Sequence, residues 1–185
     1  MEDRQIIKLY WDRAEEAIRE TDVKYGRLCQ YIAQNILANP EDSEECVNDT
    51  WLGLWNAIPP QRPSRFPAFV GRITRNLALK RFDYLTAAKR SPEAVCSLEE
   101  LGDCVSGRTG VEDELENRRI EEAIDAFLRS LDEEKRTLFI RRYWYFDSIE
   151  NICRRTGHSQ SKVKSILSRT RHKLRDYLER EGIEL

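Results

Sequence analysis

The sequence from Ser148 to Leu178, SIENICRRTGHSQSKVKSILSRTRHKLRDYL, gives the strongest indication of fold in this chain. Ser148 can cap a short helix, and Gly157 can end it because glycine readily adopts the positive φ of a helix C-terminus. Ser159 can then cap a longer helix whose apolar residues recur at three- and four-residue steps. A short helix, a glycine turn and a longer helix together predict a helix-turn-helix.

The longer helix of this pattern is predicted to bind DNA. Between Arg154 and Arg175 there are eight lysines and arginines and no acid, whereas a solvated helix face usually mixes glutamate with lysine at four-residue spacing. A cationic face without acids suits the major groove, where long side chains reach phosphates and guanine edges. The outward positions expected to face DNA are Ser161, Lys162, Lys164, Ser165, Ser168, Arg169 and Arg171.

Helical periodicity dominates the rest of the chain. Apolar residues recur at three- and four-residue steps through residues 7–18, 25–36, 40–58, 69–81 and 115–146. Four prolines between Ile58 and Pro67 predict a loop, because proline cannot continue a helix. No strand pattern competes with these helices, so the predicted fold class is all-α.

The predicted organisation is two small helical domains, residues 1–90 and 115–185, joined by a linker at residues 91–114. The segment from Ser91 to Gly110 lacks helical periodicity, is acidic and contains three glycines, which is typical of a flexible linker. The formal net charge is −2, yet basic residues concentrate in one block of each predicted domain. This separation of charge favours an anionic partner for both domains.

The composition excludes several classes of protein. No apolar run approaches the roughly 20 residues that cross a bilayer, and the acidic N-terminal stretch lacks the features of a secretion signal. We therefore expect a cytoplasmic protein without a membrane partner. Five widely spaced cysteines and two histidines do not match a metal or disulfide pattern. No nucleophile motif or phosphate-binding loop occurs, so we predict no catalytic residue, cofactor, metal or small-molecule substrate.

The first predicted domain carries a resemblance to a known family. Its segments DSEECVNDTWLGLW (42–55) and FPAFVGRITRNLALKR (66–81) resemble the polymerase-binding and promoter-melting region of bacterial sigma factors. The helix-turn-helix, with its lead-in SLDEEKRTLFIRRY (130–143), resembles the last conserved region of the same family. The resemblance is to the small, two-domain extracytoplasmic-function group, and it covers about residues 20–90 and 115–180.

This resemblance implies partners and site residues. Core RNA polymerase would dock on the helix at 42–55, at Glu45, Asn48 and Asp49. The loop from residue 59 and the helix after it match the family's surface for the minus-ten promoter element, and the candidate contacts are Arg62, Arg65, Arg72, Arg75, Asn76, Lys80 and Arg81. Val70-Gly71 replaces a larger residue pair of the family, so the melting aromatic is either missing or supplied by Phe66 or Phe69.

The same resemblance assigns the helix-turn-helix to the minus-thirty-five element of promoter DNA. Members of the group often have an anti-sigma partner, which would cover these same surfaces. The predicted function is a sigma factor that binds core RNA polymerase and directs promoter-specific transcription initiation.

Two other functions remain open at this point. A stand-alone helix-turn-helix regulator would bind an operator without polymerase, usually as a symmetric dimer. Against it, the first domain combines a polymerase-docking pattern with a basic helix where a sensor would need a pocket. A pure interaction protein that sequesters sigma-binding partners would leave the acid-free helix unexplained.

Overall fold

The computed structural model describes residues 1–85, 90–102 and 114–183, with side chains in the last range from residue 119 onward. Within these ranges every regular element is a helix and none is a strand, which confirms the all-α fold class. The chain divides into two compact units, Met1–Pro92 and Glu93–Leu185. No helix in the described ranges is both long and apolar enough to cross a membrane.

The first unit consists of four helices. They are α1 (Asp3–Trp11), α2 (Glu16–Leu37), α3 (Pro40–Ala57) and α4 (Phe66–Tyr84). Its core lies where α2, α3 and α4 pack together, around the fully buried Ile32, Leu54 and Val70. At Gly71, a Cβ atom would lie 3.5 Å from the Ile32 Cδ1 atom, so a small residue keeps α4 close to α2.

Local sequence accounts for the helix boundaries in this unit. Asn39 caps α3 because its Oδ1 accepts a hydrogen bond from the Asp42 N–H at 2.9 Å. Pro40 follows at the first helical position, where its fixed φ is suitable. The periodic stretch at residues 7–18 is divided between α1 and α2, because the chain turns at Arg13 with a φ of 55°.

The second unit consists of five helices within the described residues. They are α5 (Pro92–Gly102), α6 (Glu114–Ser130), α7 (Glu133–Tyr143), α8 (Ile149–Thr156) and α9 (Gln160–Arg180). Leu138, Ile152, Val163 and Leu167 form the centre of its core. Each of α7, α8 and α9 therefore contributes its apolar stripe to one cluster, and α6 packs against the same cluster through Phe127.

The helix-turn-helix prediction is confirmed at α8 and α9. Ser148 Oγ accepts from the Asn151 N–H at 3.1 Å, and Ser159 Oγ accepts from the Lys162 N–H at 3.3 Å. Gly157 ends α8 with a φ of 72°. Its N–H donates to the Cys153 carbonyl at 2.8 Å, which satisfies a carbonyl at the end of the helix.

Helix α5 lies in the segment that the sequence predicts as a flexible linker without helix. Ala94 and Ser97 are buried, and Leu101 packs against the core of the second unit. These residues recur at helical spacing, but two of them are small and the apolar pattern is therefore weak. The expectation that this segment lacks helix is wrong for residues 92–102, while residues 103–113 lie outside the described residues.

Candidate nucleic-acid interface

The three predicted polymerase contacts share one exposed face of α3. Glu45, Asn48 and Asp49 are all exposed, since residues three and four apart lie on the same side of a helix. Leu52 continues this face and is 59% exposed. The exposure of Leu52 could not be predicted, because an apolar residue beside the buried Trp51 gives no signal of exposure in the sequence. The face therefore combines acids, an amide and one apolar side chain.

Arg81 lies on the α3 side of α4, where it lines a pocket beside Asp49 together with Lys80. It is nine positions after Arg72, half a turn around the helix at 100° per residue. Its Nε and Nη2 atoms donate to Asp42 Oδ1 at 2.9 and 2.6 Å, and Nη2 also donates to Glu45 Oε2 at 2.7 Å. The hydrogen bond and charge of Arg81 lower the pKa of Glu45. A predicted DNA contact and a predicted polymerase contact thus pair with each other.

The remaining predicted contacts on α4 form a stripe. Arg72, Asn76 and Lys80 recur every four residues and are exposed. The Arg72 guanidinium lies over the Phe69 ring, 5.4 Å from its centre. Arg75 is half-buried at the edge of the stripe, and burial lowers its pKa to about 10, which still leaves it protonated at neutral pH. The stripe therefore presents two exposed cations and an amide to solvent.

The loop before α4 carries the other two candidates. Arg62 and Arg65 are both exposed. The Arg62 guanidinium stacks on the Trp11 ring with 4.0 Å between its carbon and the ring centre, a cation–π contact between the loop and α1. This stacking fixes one of the two arginines near the start of the α4 stripe.

Phe66 and Phe69 do not supply an exposed stacking aromatic. Phe66 is 1% exposed and Phe69 is 8% exposed. The Phe66 ring packs edge-on against Tyr25, with 5.7 Å between ring centres. The expectation that either ring stacks on a base is wrong, because α4 starts at Phe66 and its first turn faces the core.

The recognition helix α9 presents most of its predicted DNA contacts outward. Exposed positions are Ser161, Lys162, Lys164, Ser165 and Arg169, and Ser168 is half-buried. Arg169 lies along the helix, where its Nε donates to the Ser165 carbonyl at 3.2 Å. This outward set agrees with the predicted face.

Arg171 is the exception, and the expectation that it points outward is wrong. Its side chain is only 20% exposed. The Nη1 atom donates to the Tyr143 hydroxyl at 2.6 Å and lies 3.3 Å from Glu100 Oε2. Residues from α7 and α5 cover this side of α9 at the level of Arg171.

A groove of about 360 Å³ lies between the start of α7 and the middle of α9. Its lining residues are Glu134, Lys135, Lys162, Ile166, Arg169, Thr170 and Lys173. Four of these are cations, so the groove suits a polyanion. The sequence analysis missed Lys135 and Lys173 as site residues. Lys173 belongs to the acid-free run that gave the signal, whereas only the fold brings Lys135 beside α9.

One acid from α7 enters this groove. Glu134 Oε1 lies 2.7 Å from Lys162 Nζ and 2.7 Å from His158 Nε2. The hydrogen bond from Lys162 is the main cause of the lowered pKa of Glu134, and His158 adds to it. The charge of Lys162 is thus partly neutralised within the protein, unlike that of the exposed Lys164.

The described cysteines and acidic residues do not form a metal site. No group of three or more potential ligands occurs within the described ranges. The described cysteines are free thiols. Burial raises the pKa of Cys29 to about 11 and that of Cys46 to about 12, so both stay protonated. Cys96 is exposed.

Comparison with protein families places both units. The model for Sigma-70 region 2 matches residues 23–89, which include α3 and α4. The model for Sigma-70, region 4 matches residues 127–176, which include the helix-turn-helix. A search of curated proteins finds no significant match. Together the two family matches cover more than half of the chain, in the order that the sequence analysis predicts. The chain therefore belongs to the sigma-70 family, as a sigma factor of the two-domain, extracytoplasmic-function-like type that directs promoter recognition with RNA polymerase.

Proposed function

We propose that the exposed face of α3 is the docking surface for core RNA polymerase. Glu45, Asn48 and Asp49 supply hydrogen-bond acceptors, and Leu52 supplies an apolar contact next to them on the same face. A surface of this kind fits a partner helix that carries arginines or lysines around an apolar position. The exposure of two acids, an amide and Leu52 on one face of α3 is the observation that best supports this assignment, because polar groups around an apolar side chain suit a protein interface.

The second part of the proposal concerns the upstream promoter element. Helix α9 enters the major groove of the minus-thirty-five element, with Lys164, Ser165 and Arg169 at its centre. Ser161, Lys162 and Ser168 flank them, and Lys135 and Lys173 bind phosphates from the groove beside α7. We leave Arg171 out of this set because its guanidinium is engaged with Tyr143 and Glu100.

The third part concerns the minus-ten element. Once polymerase holds the promoter, the stripe of Arg72, Asn76 and Lys80 tracks the opened strand, and Arg62 and Arg65 bind it from the loop. Arg75 lies at the edge of this surface. Arg81 is proposed to orient Glu45 for polymerase instead of contacting DNA.

The protein's own role in this scheme is binding. Polymerase supplies the phosphoryl-transfer chemistry, and we assign no catalytic step to the chain. Its place of action is the cytoplasm, where polymerase and promoter DNA meet. An anti-sigma partner that covers the α3 or α9 surface stays a prediction from the family resemblance.

The decisive experiment is a binding assay between the full chain and core RNA polymerase. Glu45→Lys and Asp49→Lys reverse charge on the proposed docking face. Asp22→Lys, at an exposed acid on α2, makes the same charge change elsewhere in the unit and serves as the control. We expect the two α3 variants to lose at least tenfold in affinity, about 1.4 kcal/mol, and the control to bind like the wild type.

A second readout separates polymerase docking from promoter reading. Leu52→Ala is expected to weaken core binding while leaving the affinity of the second unit for an upstream duplex unchanged. If the folded wild-type chain does not bind core polymerase at low salt, the docking proposal fails. Equal losses in all three charge variants would show that net charge, and not the α3 face, determines binding.

A further inference from the structure

The second unit contains a buried cluster of polar groups around Glu100 of α5. Arg142 is 3% exposed, and its Nη2 and Nε atoms donate to the Glu100 carboxylate at 3.0 and 3.3 Å. The Tyr143 hydroxyl donates to Glu100 Oε2 at 2.9 Å. Arg171 Nη1 lies 3.3 Å from the same oxygen. One carboxylate of α5 thus accepts from two guanidinium groups and a phenol.

Glu100 is the carboxylate that balances Arg142 in the described part of the chain. Arg142 Nη1 donates to the Asp147 carbonyl at 3.1 Å, whereas the Asp147 carboxylate pairs with Arg141 at 3.2 Å. Burial alone would raise the pKa of Glu100, but hydrogen bonds from Arg142 and Tyr143 outweigh burial and lower it. A buried guanidinium that loses its counter-ion is strongly destabilised. Loss of Glu100 would therefore leave Arg142 buried without its counter-ion.

Helix α5 also makes apolar contact. Ala94 and Ser97 are buried, Leu101 packs against the core cluster of the unit, and Val95 and Leu98 are half-buried. These partly buried side chains contribute to docking beside the ion pairs of Glu100. The helix carries three glutamates and no lysine or arginine, which makes it complementary to the two arginines that it covers.

We propose that Arg142, Tyr143 and Arg171 form a receptor site for an acidic helix, and that α5 occupies this site in the free chain through Glu100. Because Glu100 is the carboxylate that balances the buried Arg142, its charge determines whether the helix is docked. Release of α5 would expose the Arg142 and Arg171 guanidinium groups and free the helix to become part of the linker.

Hydrogen exchange on the free, full-length chain tests the docking without polymerase or DNA. Glu100→Lys reverses the charge that the receptor site binds. Glu99→Lys makes the same change one position away, at an exposed glutamate on the same helix. We expect backbone amides of α5 to exchange at least about tenfold faster in Glu100→Lys than in the wild type. In Glu99→Lys they should exchange within about twofold of the wild type.

A milder variant guards against loss of the fold. Tyr143→Phe removes only the hydroxyl that donates to Glu100, and it should raise the α5 exchange rate less than Glu100→Lys does. Amides of α8 and α9 should keep their protection in every variant. The proposal is overturned if α5 exchanges equally fast in wild type and Glu100→Lys, or if Glu99→Lys releases the helix as much. Because no promoter is present, failure here leaves the proposed DNA contacts untouched.

Discussion

Individual cations in this chain owe their orientation to carboxylates that lie far away in sequence. Lys162 is held by Glu134, 28 positions earlier, and Arg171 contacts Glu100, 71 positions earlier. A run of sequence shows the charges along one helix but not the acids that other helices bring to it. The exposed Lys164 could therefore be predicted as a cation that faces solvent, whereas the engagement of Arg171 could not.

Two neighbouring residues at the end of α4 test the difference between a cation that faces solvent and a cation that is paired with carboxylates. Lys80 is exposed, and Arg81 is paired with Asp42 and Glu45. In holoenzyme bound to promoter, Lys80→Gln should reduce the slope of log K against log salt by about 0.7, the value for one phosphate of a single strand. Arg81→Gln should leave that slope unchanged and lower the free energy of unfolding by at most about 1 kcal/mol, since its pairs are partly exposed.

Binding titrations across salt concentrations, with urea unfolding of both variants, measure these effects. A reduced salt slope in Arg81→Gln would mean that Arg81 leaves its carboxylates to bind a phosphate. A reduced affinity for core polymerase in the same variant, with the slope intact, would support its role in orienting Glu45.

The buried carboxyl group of Asp147 gives the second unit a pH-dependent stability. Burial raises the pKa of Asp147 to about 6 from 3.8, and Arg155 at 4.0 Å only partly offsets it. The folded state therefore binds a proton more tightly than the unfolded state. This contribution is fully present below about pH 3.8 and is lost as the pH rises through about 6.

Relative to Asp147→Asn, the wild-type free energy of unfolding should fall by up to about 3 kcal/mol between pH 4 and pH 7. Urea unfolding at several pH values measures the difference between the two curves. Only this difference matters, because the substitution also removes the ion pairs with Arg141 and Arg155. Parallel curves would show that Asp147 ionises at its ordinary pKa in the folded protein.

Helices with local signals were predictable, and those defined by distant contacts were not. Ser148, Gly157 and Ser159 determine the ends of α8 and α9 through hydrogen bonds within three or four residues. Helix α5 has no such signal, because small residues form its buried face and its main partner, Arg142, lies 42 positions away from Glu100. The burial of Phe66 likewise depends on its contact with α2, and the sequence of α4 alone does not show that contact.

Helix α9 allows the same comparison, between a cation that faces DNA and one engaged within the protein, on duplex DNA. Arg169 lines the groove beside α7, whereas Arg171 faces Tyr143. In binding of the holoenzyme to promoters with a matched upstream element, Arg169→Gln should reduce the salt slope by about 0.9. Arg171→Gln should leave it unchanged. Filter-binding titrations at graded salt measure both slopes, and equal reductions would place Arg171 on the DNA-facing side.

At the scale of the whole molecule, the chain has two units, and each unit has its own core. The net charge of −2 conceals two basic surfaces, the stripe on α4 and the groove at α9, which lie in different units. Each family match also falls within one unit. A unit with its own buried cluster can fold without the other.

Residues 1–90 and 91–185, expressed separately, should each unfold cooperatively. The boundary keeps α5 with the second fragment, so Arg142 retains Glu100 as its counter-ion. Because each unit has its own core, each fragment should match the stability of its unit in the full chain within about 0.5 kcal/mol. The first fragment should compete with the full chain for core polymerase, and the second should not. Far-UV circular dichroism during urea unfolding, with a competition assay, measures both. If moving the cut to residue 103, and so removing α5, leaves the second fragment equally stable, then α5 does not stabilise that unit and Arg142 must be solvated without it.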